Sequence, residues 1–147
     1  MYLMHKDFYA SGFLYHPKTQ QILLQQPVTA EGAEWSLFEG EALGDETAID
    51  TFKRTIFSHL KLDIKVKNIF PIYSYFHDEK GKNNFLHYAI VKKLEKFPDN
   101  TKTVFAWFTF KQVQKLHISN QIKQDIIVGQ RVIDSAIRKS LGQQTIE

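Results

Sequence analysis

The stretch from Asp45 to Leu62 constrains the fold more than any other part of the chain. Ile49, Phe52, Ile56 and Leu60 recur at intervals of three, four and four, which puts them along one face of an α-helix. Thr47 followed by Asp50 is a capping-box pattern with Asp in place of Glu, so the helix is expected to start just after Thr47. Asp45 and Glu46 sit where the positive end of the helix favours acid. Asp50 and Arg54, one turn apart, are expected to pair on its surface. A helix of this kind has one apolar face to bury and needs another layer to lie on.

The flanking sequence supplies that layer as β-structure. Phe8 to Tyr15 is aromatic and apolar, His16-Pro17-Lys18-Thr19 is a turn signal, and Gln21 to Gln26 carries Ile22, Leu23 and Leu24, so the two runs read as a hairpin. Pro27 to Glu34 reads as a loop, Trp35 to Phe38 as a short strand, and Glu39 to Gly44 as a second loop. Beyond the helix, Lys65 to His77 reads as a long strand kinked or bulged at Pro71. Asp78 to Asn84 is a hairpin turn, Phe85 to Lys92 the partner strand, and Phe97 to Asn100 another turn. Thr103 to Phe110 is an aromatic strand, and Phe110 to Leu116 one or two helical turns. Ser119 or Asn120 caps a last helix whose face carries Ile122, Ile126, Val132, Ile133 and Ile137, with Gly142 at its end. Strands, helix, strands, helix predicts an α/β fold, a mixed sheet between helices in an α/β/α sandwich. The 147 residues suffice for one such domain.

Composition removes several function classes. With no cysteine there is no disulfide framework, thiolate metal site or cysteine nucleophile. The net charge of +3 comes from lysines scattered singly or in pairs, a surface hospitable to a phosphate-bearing ligand but without the stripe that grips nucleic acid. No apolar run approaches bilayer-spanning length, and Met1 to Phe8 lacks the apolar segment of a signal peptide, so cytoplasmic residence is the default expectation. His77 and His87 flank the Asp78–Asn84 turn and, with His59, add up to three imidazoles. Their spacing fits no zinc motif, so they are expected to be surface or hydrogen-bonded histidines. Most of the aromatic residues are expected in the core; Tyr75 and Trp107 are the candidates to line a pocket and stack on a planar group.

Gly40, five residues, Glu46, seven residues, Arg54, with Ile56 and Leu62 at the aliphatic places, resembles the Nudix box G-x5-E-x7-R-E-U-x-E-E-x-G-U, where U is aliphatic. Trp35 before it, the opening hairpin and the Trp107-Phe108 pair ahead of a short helix also resemble that family, so the likeness spans nearly the whole chain. It implies a Nudix-like sandwich and a relation to enzymes that cleave diphosphates attached to nucleosides or similar groups, using magnesium or manganese. It also implies a structural ion pair between Glu46 and Arg54, with Gly40 the third conserved-type box residue here. The departures fall on the chemistry. Phe38-Glu39-Gly40 stands for the usual Pro-Gly-Gly, Lys61 for the box glycine, and no late acid is evident in Asn100-Thr101-Lys102-Thr103. The metal-binding glutamates are replaced by Thr55, Ser58 and His59.

Three carboxylates on one side of a helix make a cation site that bridges to phosphate. Two hydroxyls and an imidazole do not, because magnesium prefers charged oxygen and sheds water reluctantly. Each unit charge removed from beside the ion forfeits on the order of 1–4 kcal/mol, felt twice by a dication. Three readings follow. In the first, a catalytically impaired Nudix-type domain binds a nucleotide-like or phosphorylated molecule, or a protein partner, with Glu39, Glu41, Tyr75 and Trp107 as candidate ligand contacts. In the second, an active magnesium- or manganese-dependent pyrophosphohydrolase with rearranged acids has a relocated metal site made of Glu39, Glu41, Glu46 and His59. The third is a non-enzymatic α/β interaction domain. Homodimerisation is compatible with all three.

Overall fold

The computed structural model describes residues 5–28, 32–99 and 102–142. The expected loop around residue 30, the turn at Asn100 and the end of the chain therefore lie in part outside the described residues. The strands are β1 (His5–His16), β2 (Gln21–Pro27), β3 (Phe38–Leu43), β4 (Ile69–His77), β5 (Lys82–Ile90) and β6 (Thr103–Thr109). The helices are α1 (Ala48–Leu60), the single turn α2 (Phe110–Val113) and α3 (Asn120–Ser140). A 3-10 turn at Val66–Asn68 precedes β4, so the strand expected from Lys65 begins four residues later.

The sheet runs β4-β5-β1-β2-β6, with β3 also on β1. The β1–β5 pair is parallel and the others antiparallel, which makes the sheet mixed. β1 is the hub. Along one edge its residues 9–12 pair with β3 and its residues 14–16 with β2. Gly12 marks that change of partner, and there β5 comes so close that a Cβ would lie 1.9 Å from the His87 carbonyl oxygen. Because β1 is covered on both faces, Ala10, Phe13, Leu14 and Tyr15 are all buried, the continuous apolar run of a central strand.

Two cores follow from strand alternation. Ala10, Leu14, Leu23, Phe38 and Ala89 face α1 and meet Phe52 and Ile56. Phe13, Tyr15, Ile22, Leu86 and Tyr88 face α3 and meet Ile126 and Ile133. Thus α1 and α3 lie on opposite faces, the sandwich expected from the element order. Gly129 lets α3 sit close, since a Cβ there would be 3.0 Å from the Phe13 ring. No described helix is long and apolar enough to cross a membrane.

Local expectations divide. The Thr47–Asp50 capping box is present in both directions. Pro71 sits at a register shift between β4 and β5. Ser119 caps α3. The loop expected from Glu39 to Gly44 is instead mostly β3: buried Phe38 and Ala42 alternate with exposed Glu39 and Glu41, Phe38 lies in the α1 core, and the strand hydrogen-bonds to β1. Asp50 does not pair with Arg54, because its carboxylate is used on the Thr47 N–H.

Candidate functional site

The Nudix-box-like residues form a framework at the β3–α1 junction. Arg54 Nε donates to Glu46 Oε2 at 2.7 Å and Arg54 Nη2 to Glu46 Oε1 at 3.1 Å. Glu46 Oε1 also accepts from the Leu43 N–H at 2.8 Å and the Thr51 hydroxyl at 3.2 Å. The hydrogen bond from Arg54 holds the Glu46 carboxyl below the usual range, against a smaller opposing push from burial. Arg54 reaches back to the Glu41 carbonyl as well, tying the helix to the strand. At Gly40 the two elements touch: a Cβ would lie 2.1 Å from Thr55 Oγ1. Lys61 stands at the box-glycine place with φ of 57°, so the left-handed helix stop is kept without a glycine.

The three substituted positions do not form one surface. Thr55 is buried, and its hydroxyl donates to the Thr51 carbonyl at 2.7 Å. Ser58 and His59 are exposed. His59 Nδ1 lies 2.9 Å from the Thr55 carbonyl, which can only accept, so this nitrogen carries the proton. The ring packs edge-on against Phe38 on the α1 side of the sheet.

The acids weighed as substitutes are engaged elsewhere. Glu39 binds Lys80 Nζ through both oxygens at 2.8 Å, Glu41 binds Lys82 at 2.7 Å, and Glu46 holds Arg54. Glu39 and Glu41 project from the face of β3 opposite Phe38, away from His59. Among the described residues, no three His, Asp or Glu side chains converge as metal ligands. A hard dication does not fit this donor set. The histidines do not converge either. His77 pairs with Lys82 and His87 with Pro71, so they lie far apart along the hairpin. His87 is buried against Phe52, and burial pushes its pKa down.

A cleft of about 290 Å³ opens on the α3 face, at the N-terminal end of that helix. α3 covers the C-terminal half of β1 through Ile126 and Ile133, whereas before Phe13 the sheet presents polar and aromatic side chains instead. Tyr9 and Ser11 come from β1, Tyr75 and His77 from β4, Asn84 from β5, Glu39 from β3, and Gln121 and Asp125 from α3. Lys80, on the β4–β5 turn, reaches across β1 to Glu39 with its ammonium 4.3 Å from the Tyr9 ring centre, strapping the mouth.

Asp125 is the unexpected member, 2% exposed. Tyr73 donates to its Oδ1 at 2.6 Å, Gln121 to Oδ1 at 3.1 Å and Tyr75 to Oδ2 at 3.0 Å. Burial raises the Asp125 pKa, and those three hydrogen bonds oppose it. Burial, reinforced by the Asp125 carboxylate, pushes the Tyr75 hydroxyl up to about 12 and raises that of Tyr73, while burial together with Tyr75 and Glu39 raises that of Tyr9. All three therefore remain neutral O–H groups at ordinary pH. Of the sequence-derived contact candidates, Tyr75 and Glu39 line this cleft. Trp107 lies on the α1 side, with its Nε1–H donated to the Glu95 carbonyl at 2.7 Å, and Glu41 lies outside the cleft lining.

A mixed sheet between two helices, a capped helix braced by a Gly–Glu–Arg framework and a cleft at the start of the last helix define a class of α/β/α sandwich. Solved structures identify it as the Nudix fold. A mutT/nudix family protein from Listeria innocua superposes with a TM-score of 0.69 at 14% identity, over 91% of this chain and 98% of that one. The NUDIX domain of Shewanella oneidensis NrtR, in complex with ADP ribose, gives 0.68 at 13%, over 88% and 90%. The E. coli dihydroneopterin triphosphate pyrophosphohydrolase gives 0.65 at 14%, over 88% and 97%. By sequence, no family model and no curated protein matches the chain. At these identities the likeness is one of fold.

Proposed function

We propose that this chain is a Nudix-fold binding domain that holds a nucleotide-like ligand in the α3-face cleft and turns over diphosphates slowly or not at all. The observation that carries the reading is the separation of framework from chemistry. Gly40, Glu46 and Arg54 are all used to brace β3 against α1. Thr55 is turned into the core, and Ser58 and His59 bring no negative charge to the exposed helix side. The cleft, by contrast, keeps aromatic walls for a planar group and hydrogen-bonding side chains at its floor. The NrtR domain, seen with ADP ribose bound, is a precedent for a ligand on this fold.

The test has two arms. Thermal-shift and calorimetric titrations with nucleoside diphosphates and triphosphates, dinucleoside polyphosphates, ADP-ribose and sugar nucleotides should find at least one compound that stabilises the native state. The same compounds incubated with magnesium or manganese should show no turnover near ordinary enzyme rates, on the order of 1 per second or above. Metal-dependent hydrolysis at such rates would reject the reading in favour of an enzyme with rearranged acids. Absence of binding to every compound would favour an interaction domain.

A further inference from the structure

Lysines that are scattered along the sequence gather at the open end of the β4–β5 hairpin. The pairing of Ile69 with Ala89 sets the residues before β4 beside those after β5, and a pocket of about 420 Å³ lies between them. None of its lining residues lines the α3-face cleft. Its floor is apolar: Ile64 and Phe97, both buried, belong to the core under α1. Around that floor stand Lys65, Lys67, Lys92 and Lys93, all exposed. The lining acids are Asp63, which is paired with Lys53, and Glu95. Among the described residues none of the four lysines forms an ion pair, so the mouth carries an excess of positive charge.

The backbone on both sides is already fixed. The Val91 N–H donates to the Tyr15 carbonyl at 3.0 Å, Trp107 Nε1–H to the Glu95 carbonyl at 2.7 Å, and His16 Nε2 lies 3.2 Å from the Lys92 carbonyl. Opposite, the Asn68 N–H closes the 3-10 turn on the Lys65 carbonyl at 2.9 Å. An occupant therefore need not order the walls, which lowers the cost of binding. Two more apolar side chains, Val66 and Leu94, sit next in the chain to lining lysines and are 47% and 43% exposed. A small molecule confined to the pocket leaves them in water, whereas a chain segment crossing the site has the length to cover them. A flat lipid surface meets the exposed lysines but cannot reach Ile64, which is 4% exposed at the floor.

We propose that this pocket docks an acidic peptide segment of a partner protein. One apolar side chain of the segment rests on Ile64 and Phe97, and Asp or Glu carboxylates on either side of it meet Lys65, Lys67, Lys92 and Lys93. The site is independent of any ligand in the α3-face cleft.

The probe is the fluorescein-labelled heptapeptide Asp-Glu-Asp-Phe-Asp-Glu-Asp, titrated with the full chain and read by fluorescence anisotropy. It should bind, and its affinity should fall at least about tenfold between about 50 and about 500 mM salt, because exposed charges are screened. Replacing its Phe by Ser should weaken binding about 10- to 100-fold, the worth of taking an aromatic side chain out of water. Lys67→Glu combined with Lys92→Glu reverses two exposed charges and should abolish binding, with circular dichroism and Tm unchanged. The Phe peptide failing to bind at low salt overturns the proposal, as does equal binding of the Phe and Ser peptides; both readouts use the native protein and need no variant. Binding that survives in the folded double variant overturns it too. Co-sedimentation with phosphatidylserine-containing vesicles, in the absence of peptide binding, would instead assign the lysines to a membrane surface.

Discussion

Adding one methyl group at Gly40 should reveal what the box glycine does in this chain. A Cβ at that position would sit 2.1 Å from Thr55 Oγ1, 3.3 Å from its Cβ and 3.4 Å from its Cγ2. Ordinary contact between such atoms is about 3.5–4 Å. Thr55 is 2% exposed and its hydroxyl is bonded to the Thr51 carbonyl. Relief therefore requires the threonine to rotate and give up that bond, or β3 to withdraw from α1. Overpacking of this kind costs about 1–3 kcal/mol, and for a chain of this length Gly40→Ala should lower Tm by about 3–10 °C. The cause can be isolated by a double-mutant cycle read by urea unfolding. Thr55→Ala removes Oγ1 and Cγ2 and leaves only the 3.3 Å contact, so Gly40→Ala in that background should cost less than about 1 kcal/mol. Thr55→Val keeps an atom in the Oγ1 place and should give no rescue. If Gly40→Ala is neutral, or equally costly in both backgrounds, close approach is not what this glycine serves, and the case for a purely architectural role of Gly40 weakens.

Two further perturbations probe the same framework. Glu46→Gln should destabilise the fold by about 1 kcal/mol at pH 7, since the ion pair is only partly shielded from water. The Glu46 carboxyl is depressed in the folded chain. Its contribution is therefore present above the ordinary glutamate pKa and is lost as pH falls through the lower folded value. The gap in Tm between native protein and Glu46→Gln should accordingly shrink from pH 6 toward pH 3; a constant gap would show that the charge contributes nothing. Lys61→Gly places glycine where φ is 57° and should raise Tm, gaining about 0.5–1 kcal/mol as relief of left-handed strain exceeds the added freedom of the unfolded chain. A fall in Tm would mean that Lys61 is held there by contacts worth more than the strain.

Legibility in the sequence followed the range of the forces involved. Thr47 and Asp50 cap α1 through bonds spanning three residues, so their pattern could be read directly. The alternating apolar and acidic residues of Phe38-Glu39-Gly40-Glu41-Ala42 also carried a period-two signal for β3. Glycine and glutamate, both poor strand formers, concealed it, and pairing with β1 overrides their preference. Asp125 could have been found as the one acid on the stripe of Ile122, Ile126, Gly129 and Ile133 that α3 turns inward. Its partners Tyr73 and Tyr75 lie 52 and 50 residues away, so no local pattern could announce them.

The sequence by itself determined one property of the helix side: Thr55, Ser58 and His59 carry no negative charge in any conformation, and charge is a property of composition. Which surfaces those residues occupy was decided only by tertiary packing. Gly40 lets β3 lie close on α1 beside the buried Thr55, strand alternation sends Glu39 to the face opposite Phe38 and the His59 ring packed on it, and α3 brings Asp125 over β4. A cleft is made of directions and distances between segments far apart in the chain, and those exist only once the layers have closed on one another.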